Sequence, residues 1–205
     1  MTGYLTSVIC YCPKRKAGSP MRKIPTVFER DWNGDRSRVV NQPHKDCTWV
    51  FAGEGVATRK IDGSCCIVRD GKLYKRRELR KGEKAPPLFE AADHDEETGK
   101  TVGWVPCDIG PEDKWHMQAF EARVFADGTY ELVGPKTQGN PERYEAQTLV
   151  SHSDPSLIFD PQPPRDFDGL RTWMAGKDIE GIVWHHPDGR MAKLKLRDFG
   201  IKRSD

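Results

Sequence analysis

The 205-residue sequence has no apolar stretch long enough to cross a bilayer, which takes about 20 consecutive apolar residues. Near the amino terminus, Val8-Ile9-Cys10 is short, and basic residues follow it where a secretory signal would have them first. We therefore expect a cytoplasmic protein that has no membrane partner.

Cysteine pairs at metal-binding or redox spacing are also missing. No Cys-x-x-Cys occurs, and the six cysteines are Cys10, Cys12, Cys47, Cys65, Cys66 and Cys107. Adjacent cysteines in a strand point to opposite faces, so Cys65 and Cys66 cannot easily serve one partner. The sequence predicts free thiols in a reducing compartment, with a zinc half-site at Cys10 and Cys12 as the alternative.

The sequence has no large excess of charge of either sign. Lysine and arginine number 33 against 31 aspartates and glutamates, and a net charge of +2 does not by itself predict a nucleic-acid partner. The basic residues are nevertheless concentrated in two strips, Lys72–Lys84 and Lys193–Arg203. Such strips could meet to form a groove that binds phosphate, although either strip alone is more often a solvated face.

Asp-Gly pairs are frequent at positions that favour β-hairpins. Each of three pairs lies between two strand-like runs: 64–69 and 72–79, 120–125 and 130–133, and 181–184 and 191–196. Type I′ turns need positive φ at both central residues, which Asp-Gly tolerates. The pattern predicts three hairpins and therefore antiparallel sheet.

Helix is predicted at one place, from Asp168 to Met174, with Asp166 or Asp168 as the N-cap and Gly176 as the C-terminal residue. Residues 85–100 and 134–145 are predicted to be loops. Residues 1–20 are expected to form a loosely ordered extension, and residues 21–205 a single domain.

Candidate chemistry begins at Lys60-Ile61-Asp62-Gly63. Lys60 and Asp62 share one face of a strand, an arrangement that by itself indicates only an ion pair. Glu180-Gly181-Ile182-Val183 follows about 120 residues later, and Lys193 and Lys195 then share a face of another strand. Two lysines side by side repel each other and need an anion between them.

This order of motifs resembles the covalent nucleotidyltransferase superfamily of ATP-dependent RNA ligases, DNA ligases and mRNA capping enzymes. Lys60–Gly63 is similar to motif I, Phe120-Glu121 to motif III, Glu180–Val183 to motif IV and Lys193–Lys195 to motif V. Longer stretches resemble the RNA ligase 1 family: residues 23–28, 60–66, 103–106, 131–134 with 139–141, and 180–185 with 188–189. The resemblance implies an α+β nucleotidyltransferase domain of two packed antiparallel sheets with flanking helices and a central ATP cleft.

The resemblance also implies a reaction, ATP-dependent joining of RNA ends that carry a 5′-phosphate and a 3′-hydroxyl. Lys60 would take AMP from ATP, AMP would pass to the RNA 5′-phosphate, and the 3′-hydroxyl would displace it. The implied cofactors are ATP and Mg²⁺, with Mn²⁺ able to replace Mg²⁺, and no obligate protein partner is evident. RNA end joining or repair is the expected role. Because a lysine is nucleophilic only when deprotonated, nearby cations are expected to lower the pKa of Lys60.

Residue roles follow from the same resemblance. The catalytic set is Lys60, Asp62, Arg76, Glu121, Glu180, Lys193 and Lys195. The ATP-binding set is Thr58, Arg59, Lys60, Arg76, Glu121, Glu180, Lys193 and Lys195. Asp62 and Glu180 would hold the metal, and Arg77, Arg80 and Lys81 are candidates for binding RNA. Arg77 is the alternative to Arg76 by one position, and Arg59 stands where many RNA ligases have Glu.

Other interpretations remain open on sequence alone. The chain could be a DNA ligase, a capping nucleotidyltransferase, a non-catalytic module that binds RNA ends, or a thiol-rich metal-binding protein. Trp104 and Trp184 are candidates for stacking on bases, although such tryptophans more often lie in the core.

Overall fold

The computed structural model describes residues 23–96 and 98–203; the extension predicted for residues 1–20 and the alternative zinc half-site at Cys10 and Cys12 lie outside the described residues. Among these residues, the strands are β1 (Phe28–Arg30), β2 (Val39–Pro43), β3 (Val56–Lys60), β4 (Ser64–Arg69), β5 (Lys72–Leu79), β6 (Glu90–Asp95), β7 (Lys100–Pro106), β8 (Gly128–Val133), β9 (Thr148–Ser151), β10 (Gly181–His185) and β11 (Met191–Lys195). The α-helices are α1 (Thr48–Phe51), α2 (Lys114–Glu121) and α3 (Phe167–Ala175), and short 3-10 turns occupy Lys45–Cys47, Pro111–Asp113, Pro155–Leu157 and Leu196–Phe199.

The described strands form three antiparallel sheets. A large sheet has the order β6-β7-β5-β4-β8-β9, a small sheet has the order β11-β10-β3, and β1 pairs with β2. The expected α+β class with antiparallel sheets is confirmed. None of the helices formed by the described residues is long and apolar enough to span a membrane.

The Asp70-Gly71 hairpin forms as predicted and joins β4 to β5. Asp70 has φ 51° and Gly71 has φ 67°, the two positive angles that a two-residue turn of this type requires. Arg69 pairs with Lys72 across the turn. The Asp188-Gly189 hairpin also forms, between β10 and β11, through a longer loop that spans residues 186–190.

The hairpin predicted at Asp127-Gly128 is wrong. Residues 120 and 121 end helix α2, and β8 begins only at Gly128. Phe120 and Phe125 pack against the same buried cluster, with ring centroids 5.8 Å apart. Residues five apart in one strand would point to opposite faces, so this shared packing requires a helix end and a turn.

Helix α3 confirms the predicted helix: the side chain of Asp166 accepts a hydrogen bond from the Gly169 N–H, and Gly176 follows the last turn. The loop predicted over residues 134–145 is also confirmed, since no helix or strand occurs there. The loop predicted over residues 85–100 is wrong in part because β6 and the start of β7 lie within it. β6 is an edge strand with charged side chains, a composition that protects an exposed edge but gives little hydrophobic signal in the sequence.

Hydrophobic cores cover one face of each main sheet. The small sheet packs Ile182, Trp184 and Leu194 against Leu170 and Met174 of α3. The large sheet packs Cys66, Leu73, Tyr130 and Leu132 against Ala119 of α2. Since side chains alternate along a strand, the opposite face of the large sheet carries Arg76 and Glu131 beside the smaller apolar cluster of Ile67 and Trp104, and the opposite face of the small sheet carries Lys60 and Lys195.

Trp104 and Trp184 are both buried, 4% and 0% exposed. Trp184 lies in the core of the small sheet, and Trp104 packs against Ile67 in the large sheet. The suggestion that they stack on bases is therefore replaced by the core alternative.

Candidate active site

The two outer strands of the small sheet, β3 and β11, place lysines on one face of that sheet. β10 lies between β3 and β11, and Gly181 faces Lys60 on one side and Lys195 on the other. Val183 is flanked in the same way by Thr58 and Lys193. A Cβ on Gly181 would come within 2.2 Å of the Leu194 carbonyl oxygen. Glycine at this position therefore allows β11 to approach β10 closely.

Glu180, directly before β10, joins two of these lysines. Lys60 Nζ donates to Glu180 Oε2 at 2.5 Å, and Lys195 Nζ donates to Glu180 Oε1. The Glu180 side chain is only 12% exposed, so water screens this pair of ion pairs weakly. The sequence predicted an anion between Lys193 and Lys195, whereas the structure places the anion between Lys60 and Lys195.

Lys193 lies apart from this arrangement and forms no ion pair within the described part of the chain. Burial lowers its pKa to about 8, and the charges of Lys195, Lys60 and Arg76 act in the same direction. Near neutral pH, Lys193 is therefore a cation that is readily neutralised or paired with a new anion.

The pKa of Lys60 departs from the expectation. Burial lowers it, but the carboxylates of Glu180, Glu131 and Asp62 together outweigh burial, and the net shift is upward. The neighbouring lysines alone therefore do not lower the pKa of Lys60, and the lowering expected from Mg²⁺ stays a prediction. Lys60 is held as an ammonium ion, and it can become a nucleophile only after its ion pair with Glu180 is broken.

Asp62 follows β3 and lines the same site. Its pKa is raised, first by burial and then by the negative charge of Glu180, while Lys60, Lys195 and Arg203 oppose the shift. Two carboxylates that repel each other at one place are stabilised by an added cation. Asp62 and Glu180 therefore fit the predicted role of metal ligands, because carboxylate oxygens are what Mg²⁺ prefers.

The structure places Glu121 away from the other predicted site residues and brings Glu131 close to them. Glu121 is exposed at the end of α2, and none of the described contacts joins it to Lys60. Glu131 is 7% exposed on β8, and its charge raises the pKa of Lys60. His152 Nε2 lies 3.0 Å from Glu131 Oε2 in a hydrogen bond. The run from Tyr130 to Val133 is otherwise apolar. The lone carboxylate within it, that of Glu131, was the signal that could have identified this residue from the sequence.

Glu142 is a second residue that the sequence did not single out. Its side chain is 2% exposed and accepts from Arg59 Nη2 at 2.7 Å and from Arg203 Nη1 at 2.9 Å. The backbone N–H of Asp62 donates to the same carboxylate at 3.1 Å. Glu142 thus fixes the loop at residues 134–145 against the end of β3, and the guanidinium of Arg59 is occupied by this contact.

A cleft of about 540 Å³ opens beside these residues. Lys60, Asp62, Glu180 and Lys195 line it, together with four further cations: Arg38, Arg197, Lys202 and Arg203. The second basic strip of the sequence therefore borders the cleft, as expected of a groove that binds phosphate.

The remaining predicted residues are placed differently. Thr58 is buried, and its hydroxyl donates to the Val183 carbonyl at 3.2 Å. Arg76 on β5 is close enough to lower the pKa of Lys193, so the structure favours Arg76 over its neighbour as the site arginine. Arg77 is paired with Glu83 at 2.5 Å and is more than half exposed, and Arg80 and Lys81 are exposed beside it.

No family model matches the chain. The chain is 23% identical to RNA ligase 1 of Rattus norvegicus, over 91% of this chain and 83% of that protein. RNA ligase 1 of Danio rerio is also 23% identical, over 92% and 83%, and RNA ligase 1 of Pongo abelii is 24% identical, over 91% and 83%. These relatives confirm the resemblance to the RNA ligase 1 family that the motifs indicated.

Proposed function

We propose that the chain is an ATP-dependent RNA ligase that forms a covalent lysyl–AMP intermediate on Lys60. The observation that carries the proposal is the placement of Lys60 beside a cationic cleft, with Glu180 and Lys195 in contact and Lys193 on the same face. The resemblance to proteins named RNA ligase 1 supports the choice of RNA as substrate.

In the first step, the neutral Nζ of Lys60 attacks the α-phosphorus of ATP. A nitrogen–phosphorus bond forms, the bond from that phosphorus to the β-phosphate oxygen breaks, and pyrophosphate leaves with the electron pair. The nitrogen is positively charged after the attack and loses one proton to give the phosphoramide. In the next step an oxygen of the RNA 5′-phosphate attacks the same phosphorus, the nitrogen–phosphorus bond breaks, and the nitrogen of Lys60 takes up a proton from solvent and leaves as the amine. The RNA 3′-hydroxyl then attacks the activated 5′-phosphate, loses its proton and releases AMP.

The cations of the site serve the phosphates in each step. Lys195 and Lys193 stand on the face that holds Lys60, where their charges stabilise the negative charge that develops on the phosphoryl oxygens. Arg76 acts from the large sheet on the same region. Its planar guanidinium suits bidentate binding of a phosphate. Arg38, Arg197 and Lys202 extend the positive charge along the cleft, where the β- and γ-phosphates would lie.

Asp62 and Glu180 are the residues that would hold Mg²⁺, which supplies positive charge to the transferred phosphoryl group when bound. Glu131 is the third carboxylate of the site and is held in place by His152. We assign it to the ribose hydroxyls or to the metal-bound waters.

RNA would reach the site from the exposed end of β5. Arg77 pairs there with Glu83, the backbone N–H of Arg80 donates to the same carboxylate, and the side chains of Arg77, Arg80 and Lys81 are exposed. Their exposure leaves them able to exchange a surface ion pair for an RNA phosphate at little cost.

The test is incubation of the full chain with Mg²⁺ and ATP labelled at the α-phosphate. We expect label to remain on the wild-type protein after denaturation, to be absent from Lys60→Ala, and to be kept by the surface control Lys100→Ala. Label then passes to RNA that carries a 5′-phosphate and not to the corresponding DNA.

Each other result contradicts a defined part of the proposal. Label retained by Lys60→Ala would exclude Lys60 as the nucleophile. Attachment of GMP from labelled GTP instead of AMP would indicate a capping enzyme. Transfer to DNA would indicate a DNA ligase, and binding of RNA ends with no covalent label would indicate a non-catalytic module.

A further inference from the structure

A second cluster of reactive side chains lies on the face of the large sheet that is opposite Arg76. Cys107 comes directly after β7, Asp113 ends the 3-10 turn Pro111–Asp113, and His116 is in the first turn of α2. The sulfur of Cys107, a carboxylate oxygen of Asp113 and a ring nitrogen of His116 all lie within 4.8 Å of one another. Neighbouring Lys75 pairs with Asp113, and because Lys75 and Arg76 are adjacent in β5 they point to opposite faces. The cluster is therefore separate from the cleft beside Lys60.

Most polar atoms of this cluster are already satisfied, and one is not. The backbone N–H of Asp108 donates to Asp113 Oδ2 at 3.2 Å, and Lys75 Nζ donates to Asp113 Oδ1. His116 Nδ1 is buried and has no hydrogen-bond partner in the described part of the chain. A buried ring nitrogen without a partner, 3.9 Å from a carboxylate and next to a thiol, calls for a ligand.

We propose that Cys107, Asp113 and His116 bind one Zn²⁺ ion through Sγ, a carboxylate oxygen and Nδ1, with water as the fourth ligand. Thiolate and imidazole select zinc over Mg²⁺, which prefers oxygen ligands only. On binding, the sulfur–hydrogen bond of Cys107 breaks, a zinc–sulfur bond forms, and the proton leaves to solvent. There is no change of oxidation state.

The geometry needs only a small contraction. Bonds of about 2.0 to 2.3 Å in a tetrahedron place the ligand atoms about 3.5 Å apart. His116 Nδ1 and Asp113 Oδ1 are 3.9 Å apart, and the three ligand atoms lie within 4.8 Å of one another. Side-chain rotations that move these atoms by about an ångström would therefore bring them to the tetrahedral spacing. A carboxylate has about four lone-pair positions, so Asp113 can bind zinc while it keeps its backbone hydrogen bond.

The position of this site indicates what it does. Cys107 is anchored to β5 because its backbone N–H donates to the Leu73 carbonyl at 2.9 Å. Zinc would therefore tie the start of α2 to the centre of the large sheet. The inference stands independently of the proposed ligase activity, since it shares no residue with the cleft.

The experiment is equilibrium dialysis of the full chain against micromolar ZnCl₂ with excess MgCl₂, followed by elemental analysis. We expect about one zinc per wild-type chain, and an affinity at least about tenfold lower in Cys107→Ser and in His116→Ala. Three controls keep the zinc: Cys65→Ser, which removes a thiol on the other face of the sheet; Cys10→Ser with Cys12→Ser; and Lys60→Ala.

A measurement on the wild type alone covers the case in which these variants fold poorly. Zinc is expected to protect Cys107 from alkylation, as read by mass spectrometry of its peptide, and Co²⁺ is expected to give a thiolate-to-cobalt absorption band. The proposal is overturned if the wild type keeps no zinc, if the Cys10 and Cys12 serine variant loses the metal, or if Cys107 is alkylated equally with and without zinc.

Discussion

The two basic strips of the sequence are similar in composition and very different in structure. In the first strip, Lys75 forms an ion pair with Asp113 on the face of the large sheet that packs against α2, and Arg77 forms an exposed ion pair with Glu83. In the second strip, Lys193 and Lys195 share one face, and Lys195 meets Lys60 at a single carboxylate. From the first strip, the charge of Arg76 reaches the second strip, where it lowers the pKa of Lys193.

The ion-pair partners of a basic side chain, and not the density of charge in the sequence around it, therefore determine whether that side chain can bind phosphate. A cation that already has its own buried anion, as Lys75 has in Asp113, has little charge left for a ligand. Cations that share one anion, or have none, remain available for phosphate. The predictions below test this contrast.

The largest expected effect is that of Lys195→Ala. We expect formation of the lysyl–AMP adduct to slow by about 10² to 10³-fold, because a cation directed at the phosphoryl group is lost. The matched change in the first strip, Lys72→Ala, removes an exposed lysine and should change the rate less than about twofold. Single-turnover formation of labelled protein measures both rates, and equal losses in the two variants would remove the distinction between the strips.

The next effect separates the two glutamates. Glu131→Gln keeps the side-chain volume but removes the carboxylate assigned to the ribose hydroxyls or the metal-bound waters, and it is expected to slow adduct formation by about 10 to 100-fold. This loss is expected to outweigh the larger fraction of neutral Lys60 that the removed charge would allow. Glu121→Gln changes an exposed residue and should leave the rate near that of the wild type. If Glu121→Gln is the more damaging change, the placement of Glu131 in the site is wrong.

A pH profile tests the state of the lysines themselves. Because the carboxylates raise the pKa of Lys60, the fraction of neutral amine increases about tenfold for each pH unit below that pKa, and the adduct should form faster as the pH rises. The pKa of Lys193 is about 8, so its positive charge is lost above that pH and the increase should flatten or reverse. In Lys193→Gln this alkaline limb should disappear, and a limb that persists would assign it to another group.

The smallest effect is expected from the first strip and concerns RNA alone. Replacing Arg77, Arg80 and Lys81 together by alanine should leave adduct formation unchanged. It should weaken RNA binding several-fold and reduce the slope of log affinity against log salt by about 2, at about 0.7 per phosphate contact on a single strand. Binding titrations at several salt concentrations measure this slope, and an unchanged slope would exclude these residues from the RNA path.

Local signals in the sequence determined which structural features could be predicted. The Asp70-Gly71 hairpin and helix α3 depend on φ angles, caps and periodicity that lie within a few residues. The grouping of Lys60, Glu180 and Lys195 could be predicted from the resemblance and from strand alternation. These predictions did not need the packing of distant segments.

The features that sequence reasoning missed all depend on long-range packing. The run at 120–125 alternates like a strand, and only its packing against the large sheet shows that it ends a helix. Glu131 and Glu142 acquire their roles from residues that are far away in the chain, such as His152 and Arg59. The upward pKa shift of Lys60 is the sum of three carboxylates from two sheets, which no single motif contains.

The most direct test of the central claim is to locate the AMP group. The full chain is incubated with ATP and Mg²⁺, quenched, digested and examined by mass spectrometry. We expect one adenylyl group per chain, on the peptide that contains Lys60 and on its Nζ. An adenylyl group on Lys193, on Lys195 or on any residue outside the cleft, with Lys60 unmodified, would contradict it.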